Sequence, residues 1–363
     1  MSSLADRLRE RIQTEGPIPF YDWMQAALYD PEQGYYCRED LEKWGRGGDY
    51  RTSPERSVLY AATFARYFTE RYLTLGSPSE WTVVEAGAGS GDFAEIVLQT
   101  LQQSFPDVFA ATRYVIDEVS AISRSRLSHR LSRFGDQVEF ACLKESQPLN
   151  PAIVFANELL DAFPIHRVTI REGELREFYV GVNKNGDFEW LIDQPSESLA
   201  RHLANSVIEL EEGQTGEVNP GIKQWLELVS AKLEKGYVVI VDYGAEASEL
   251  YNARSRPNGT LRAFRRHQFA DDVLARVGDQ DLTSSVNWTL VKRLLAEHRF
   301  QVKTFEKQDR FLLSAGLLEE LEKKVSETES EGEITSLRAG ARELILPGGM
   351  AESFQVLVAE RIT

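Results

Sequence analysis

WTVVEAGAGSGDFAEIVLQTLQQ (81–103) decides the fold of this chain. Its first residues are a short apolar run, the next seven carry three glycines, and the remainder is amphipathic with helical spacing. Strand, glycine loop and helix in that order make one βα unit. Glycine supplies the left-handed backbone a tight strand-to-helix turn requires, and the helix start presents unpaired N–H groups. With this first run, Thr82 to Glu85, apolar runs occur at Thr112 to Asp117, Val138 to Ala141, Ile153 to Ala156 and Tyr237 to Val241, separated by helical segments. That alternation predicts an α/β fold with a parallel sheet covered on both faces.

The loop reads Glu85-Ala86-Gly87-Ala88-Gly89-Ser90-Gly91, that is E-x-G-x-G-x-G. A dinucleotide site wants G-x-G-x-x-G/A with an acid about 20 residues on. Here one acid, Glu85, precedes the first glycine, and a second pair, Asp117-Glu118, closes the next strand. This pattern suits S-adenosylmethionine, with Glu85 toward the cationic methionyl end, Glu118 on the ribose hydroxyls, and Gly87, Gly89 and Gly91 forming the cradle. Taken alone, the loop leaves open a ligand-free glycine turn and a nicotinamide-dependent dehydrogenase.

Working outward, Leu4, Leu8 and Ile12 recur at helical spacing, Gly16-Pro17 breaks the pattern, and Phe20 to Leu28 resumes it. Residues 34–54 mix Gly, Tyr, Trp and Arg without a period and predict an ordered loop, and Ser57 to Leu75 predicts a helix. Ile165 to Gly236 interrupts the βα alternation, and its first part alternates apolar and polar residues around Gly173 and Asn185-Gly186, so an antiparallel β insertion is expected. Gln301 to Ser314 and Phe354 to Ile362 are expected to close the sheet as a pair of strands. The expected division is a helical and loop cap over 1–80, a sheet core over 81–164 and 237–363, and a substrate-side insertion over 165–236. The Glu-rich segment 319–333 predicts an exposed helix end or linker.

Composition bounds the function. The 363 residues carry 41 Lys and Arg against 57 Asp and Glu, a formal net charge of −16, which disfavours non-specific nucleic-acid binding. Two cysteines, Cys37 and Cys142, are too few for a disulfide framework. No run reaches the ~18 apolar residues a membrane span requires, and the first fifteen residues lack both an apolar signal core and the acid-poor character of a transit peptide. A cytoplasmic protein with no membrane partner is therefore expected. The five histidines show neither H-x-x-H nor H-E-x-x-H spacing, so no metal site is expected. Arg262, Arg265, Arg266 and His267 form a compact basic cluster, read as a solvated helix start.

The fourth strand runs into Asn157-Glu158-Leu159-Leu160-Asp161-Ala162-Phe163-Pro164. Ligands of open α/β sheets bind beyond the carboxyl ends of the strands, so Asn157 and Glu158 should face the crevice of the glycine loop. Methyl transfer from a sulfonium needs the nucleophile oriented and its proton balanced. A carboxylate can pair with a guanidinium along one edge, and Glu158 and Asp161 are the candidates. For both, the competing reading is an acid at a helix start. Asp242 and Tyr243, at the end of the fifth strand, should point into the same crevice.

These residues resemble the MidA family of class I, Rossmann-like methyltransferases, and the resemblance spans nearly the whole chain. It is carried by GPIPFYDWMQAALYDPEQGYY (16–36), GRGGDYRTSPE (45–55), VVEAGAGSGDF (83–93), FANELLDAFPIHRV (155–168), VIVDYG (239–244), GTLRAFRRHQFADD (259–272) and LPGGMAESFQVLVAER (346–361). The resemblance implies that the N-terminal loop folds over the cofactor, making Gly48, Asp49 and Thr52 contacts. It implies a protein substrate methylated on an arginine. The family's DxTAHVDF reads Asp281-Leu282-Thr283-Ser284-Ser285-Val286-Asn287-Trp288 here and lacks the His and the second Asp. Two other readings stay open: an assembly protein that keeps the fold as a scaffold, and a small-molecule methyltransferase. The oligomeric state is not legible.

Overall fold

Trp81–Ala86 is a strand buried at every position, as a strand covered on both faces must be. The computed structural model describes residues 2–38, 40–41, 43, 57–203, 208–265, 268–270, 272–346 and 353–362. In it, Trp81–Ala86 pairs in parallel with Thr112–Asp117 on one side and Ala152–Asn157 on the other. The sheet extends in parallel to Val138–Phe140 at one end and to Gly236–Ala245 at the other. Phe354–Arg361 then lies antiparallel to Gly236–Ala245, and Phe300–Lys307 antiparallel to Phe354–Arg361. Numbered along the chain, these seven strands stand in the order 3-2-1-4-5-7-6. The order reverses between the first strand and the fourth, and the crevice at such a reversal is where doubly wound folds bind ligands.

The expected closing pair differs in extent. Only Phe300–Lys307 is strand, and Gln308–Ser314 is a helix, because Phe311 and Leu312 turn inward together and Phe311 stacks on Phe64 at 5.4 Å. One face of the sheet, with Val83, Tyr114, Phe155 and Val239, packs on the helices Val58–Thr74 and Asp92–Ser104. Phe93 lies flat on Phe155 with centroids 4.3 Å apart, and Phe64 meets Phe155 at 5.1 Å. Ser57 caps the first of these helices by accepting the Leu59 N–H at 3.2 Å. Ser57→Ala should cost about 1 kcal/mol, lowering Tm by about 2 °C in a scanning calorimeter for a chain of this size. The Glu-rich segment is more than an exposed end: Leu317–Ser326 is a helix whose Glu320 is buried and pairs with Arg66 Nε at 2.9 Å.

Two compact units make up the chain. The sheet unit comprises the described residues of Arg51–Leu159, Glu227–Tyr243 and Leu295–Thr363. The other comprises those of Met1–Tyr50, Leu160–Leu226 and Gly244–Leu294. Residues 57–80 therefore group with the sheet, while residues 244–294 group with the N-terminal helices and the insertion.

In the second unit the alternating segment forms the antiparallel strands His166–Arg171, Glu174–Val182, Phe188–Asp193 and Thr215–Val218. Ile18–Pro19 adds to their edge with Ile18 opposite Val180. Leu4, Leu8 and Ile12, all buried, line one face of the helix Leu4–Glu15 and share a core with Trp23 and Val180. Glu217 is held by the Thr260 and Leu261 N–H groups and the Thr260 hydroxyl, at 2.9–3.3 Å. The expected helix start at Arg262 is instead a strand, Arg262–Arg265, antiparallel to Asp281–Thr283. On its other side Arg262–Arg265 pairs antiparallel with Gln268–Phe269, where Phe264 meets Phe269 at 4.8 Å, and local charge signals neither pairing.

Candidate active site

The register of the sheet assembles the site. Ala86 stands opposite Asp117 and Ala156, Ala156 opposite Ile240, and Asn157 opposite Val241. Three parallel strands thus end flush while Gly236–Ala245 runs on past them, and one edge of the sheet carries the glycine loop, Glu118, Asn157 with Glu158, and Asp242. The row spans three strand spacings, roughly 14 Å.

Gly87, Gly89 and Gly91 have φ of 71°, 54° and 82°, the left-handed region in which side chains with a Cβ are strained. Gly91 caps the helix Asp92–Ser104, and a Cβ there would lie 2.4 Å from Leu127 Cδ2. The Gly87 N–H donates to the Asp117 carbonyl at 2.9 Å, tying the loop to the neighbouring strand. From the other side Arg130 donates to the Ser90 carbonyl at 3.0 Å and to Glu95 at 2.7 Å, and also pairs with Asp92. The loop is therefore braced at both ends before any ligand arrives.

Glu85 is buried beneath this loop and accepts the Tyr114 hydroxyl at 2.7 Å. Burial pushes its carboxyl up to about 8, the Tyr114 hydrogen bond opposes that rise, and the Glu118 charge adds to it. Glu118 uses Oε1 to accept the Ser120 N–H at 2.8 Å, in the cap of the helix Ala121–Leu131. Asp117 beside it has its carboxyl raised by burial.

Asn157 closes its strand with its carbonyl oxygen accepting the Tyr60 hydroxyl at 2.6 Å and its NH₂ donating to Glu158 Oε1 at 3.3 Å. Glu158 holds φ at +49°, and its N–H donates to the Val241 carbonyl at 2.9 Å. A left-handed non-glycine residue at a strand end is a strained conformation of the sort concentrated at functional sites. Asp242 is fully buried on the adjacent strand and accepts the Tyr243 N–H at 2.8 Å.

Asn157 and Glu158 are thus joined in the sheet unit, whereas Asp161 belongs to the second unit. There Asp161 is buried, and its backbone carbonyl accepts the Ser284 N–H at 2.9 Å. No helix forms over residues 158–165, so the reading of Glu158 and Asp161 as acids at a helix start is corrected. The turn is pinned within the second unit by Tyr29 donating to the Ala162 carbonyl and Asn219 to that of Leu160, each at 3.0 Å. Gly48, Asp49 and Thr52 lie outside the described residues, as do Arg266 and His267. Sequence reasoning missed Tyr60, Tyr114 and Arg130, each of which sits within a helix or strand with no local motif. Among the described residues no cluster of three or more His, Cys, Asp or Glu is arranged to hold a metal.

A cradle of three left-handed glycines, with carboxylates along one edge of four strands, fits a nucleoside cofactor bearing a positive charge. A family model described as S-adenosyl-L-methionine-dependent methyltransferase matches residues 63–306. The chain belongs to this family. The methyltransferase is 28% identical to the mitochondrial protein arginine methyltransferase NDUFAF7 homolog of Drosophila melanogaster, over 83% of this chain and 71% of that one. It is 24% identical to mitochondrial protein arginine methyltransferase NDUFAF7 of Homo sapiens, over 96% and 81%. A crystal structure of a Burkholderia thailandensis protein bound to S-adenosyl-homocysteine superposes with a TM-score of 0.84 at 28% identity, covering 99% of this chain and 92% of that one. The MidA resemblance and the Rossmann-like α/β fold hold, the protein is a methyltransferase enzyme, and its cofactor is S-adenosylmethionine. The nicotinamide and scaffold alternatives fall away. The cytoplasmic expectation is overturned, because these curated relatives are named as mitochondrial proteins. No helix among the described residues is long and apolar enough to cross a membrane.

Gly89→Val should weaken S-adenosylmethionine binding at least tenfold by titration calorimetry, since a β-branched residue is strained at φ +54° and shifts the loop. Unchanged affinity removes Gly89 from the cofactor cradle.

Proposed function

We propose that this methyltransferase acts on an arginine guanidinium of a protein. The observation that carries the reading is the Asn157–Glu158 clamp beside the glycine loop, with the buried carboxylate of Asp242 on the next strand. Bound S-adenosylmethionine supplies an electrophilic methyl group on a sulfonium. Gly87, Gly89 and Gly91 cradle it, Glu85 and Glu118 take its methionyl and ribose ends, and Gly48, Asp49 and Thr52 complete the contacts.

Glu158 then pairs with two N–H groups of the guanidinium and turns the remaining nitrogen toward the methyl. The Asn157 NH₂ holds that carboxylate in place. Carboxylates rather than lysines around the nucleophile favour a cationic substrate and accept the proton the methylated nitrogen loses. The relatives named as protein arginine methyltransferases support the same substrate class.

The test is to incubate the protein with methyl-tritiated S-adenosylmethionine and a cell extract, remove small molecules, hydrolyse the proteins in acid and chromatograph the amino acids. Label eluting with methylarginines is the expected result. Label confined to the small-molecule fraction, or eluting with another amino acid, overturns the assignment.

A further inference from the structure

Asn157 and Glu158 can receive a guanidinium only if both side chains are aimed at it. Asparagine at a strand end has two amide orientations, and only one turns its NH₂ toward a neighbouring carboxylate. The choice is made from the helix Val58–Thr74.

Tyr60 on that helix is fully buried, with its ring wedged against Phe64 at 5.0 Å and Phe93 at 6.1 Å. Phe93 is itself stacked on Phe155, two residues before Asn157 on the same strand. The ring therefore has no room to swing, and its hydroxyl is delivered to Asn157 Oδ1 at 2.6 Å. Burial, with the negative charges of Glu158 and Asp242 adding to it, pushes the Tyr60 hydroxyl well above the ordinary tyrosine range, so it keeps its proton. A phenol that keeps its proton and is in contact with an amide oxygen is a fixed donor. With Oδ1 committed to Tyr60, Nδ2 is left facing Glu158 Oε1, where it sits at 3.3 Å. Glu158 is held at its other end by its own N–H on the Val241 carbonyl.

We infer that Tyr60 is a positioning residue for the transfer step: it acts through Asn157 to fix the amide orientation that holds the Glu158 carboxylate toward the incoming cation. This rests on the proposed roles of Asn157 and Glu158. The interaction is buried and aromatic-walled, where a hydrogen bond between fixed groups retains more of its strength than in water.

The test uses two cofactor analogues and no protein substrate. Sinefungin carries a cationic amine where the methyl group of the cofactor would be, and S-adenosyl-homocysteine carries nothing there. The ratio of their affinities reads how well Asn157 and Glu158 receive a cation, and effects common to the shared nucleoside and amino-acid parts cancel. Dissociation constants would be measured by titration calorimetry for wild type, Tyr60→Phe, Asn157→Ala, the double variant and Glu158→Gln, with Tm recorded for each.

Tyr60→Phe keeps the ring and removes only the hydroxyl, so it should lower the sinefungin preference about fivefold to tenfold and leave S-adenosyl-homocysteine affinity within twofold. In the Asn157→Ala background the same change should add nothing, which is the signature of a residue acting through another. An unchanged preference in Tyr60→Phe, or an equal loss with and without Asn157, overturns the positioning role alone. If Asn157→Ala and Glu158→Gln also leave the preference unchanged, the proposed nucleophile site itself falls, and Tyr60's role with it. A parallel fall in both affinities marks Tyr60 as a packing residue and likewise overturns the inference.

Discussion

Glu158→Gln lowers the rate of methyl incorporation into protein by about 10²- to 10³-fold while S-adenosyl-homocysteine, which lacks the sulfonium charge, binds within twofold of its original affinity. The substitution keeps shape and volume but removes the charge, so the side chain no longer pairs with a guanidinium or accepts a proton. General-base contributions are typically 10² to 10⁴ in rate, and a charged hydrogen bond to a guanidinium is about twice as strong as a neutral one. Glu158 is not in the glycine loop, and its left-handed backbone with the N–H on Val241 does not depend on the carboxylate, so the fold and the cradle should survive. Incorporation of tritium into protein, counted per milligram against the wild type, gives the rate, and calorimetry gives the affinity. Full activity in Glu158→Gln removes this residue from the substrate site. A loss of activity accompanied by a loss of S-adenosyl-homocysteine affinity reassigns it to the cofactor.

Affinity for S-adenosylmethionine rises by about ninefold from pH 6 to pH 7 and about fivefold from pH 7 to pH 8, about fiftyfold in all, if the cofactor requires Glu85 ionised. In the ligand-free protein burial holds the Glu85 carboxyl up at about 8, so at neutral pH it is mostly protonated. A bound cation favours the ionised form, and binding at pH 6 to 7 must expel that proton. The sign for stability is opposite. The folded carboxyl lies above its unfolded value, so its contribution is complete below about pH 4.5 and is lost as pH rises through about 8. Raising the pH should therefore lower the ligand-free Tm through this group while enlarging the Tm gain on adding cofactor. Calorimetry in buffers of different ionisation enthalpy should show proton release below pH 8. Glu85→Gln should flatten the affinity profile, and a flat wild-type profile removes Glu85 from the cation's surroundings.

Much of the strand-end geometry was legible locally. Three closely spaced glycines after an apolar run announce a left-handed turn because steric exclusion of Cβ is a property of single residues. Gly87, Gly89 and Gly91 all adopt positive φ for that reason. Glu118, Asn157 and Glu158 were legible because a parallel strand's carboxyl end is a position the sequence marks with a change of periodicity. The segment 308–314 was misread because a short apolar run is compatible with strand or helix until its partner, here Phe64, is known. The basic cluster at Arg262 failed the other way, since its strand exists through pairing with Gln268–Phe269 and with the distant Asp281–Thr283.

The sequence by itself determined the βα alternation, the glycine cradle and the acids that end its strands, because these arise from local sterics and from the period of apolar residues. The tertiary structure alone decided which groups condition those acids. Tyr114 meets Glu85 across 29 residues, Tyr60 meets Asn157 across 97, and Asp242 comes alongside Glu158 through the pairing of Val241 with Asn157. Strand register and helix packing set these contacts, and their energies depend on burial, a property of the assembled core that no spacing along the chain encodes.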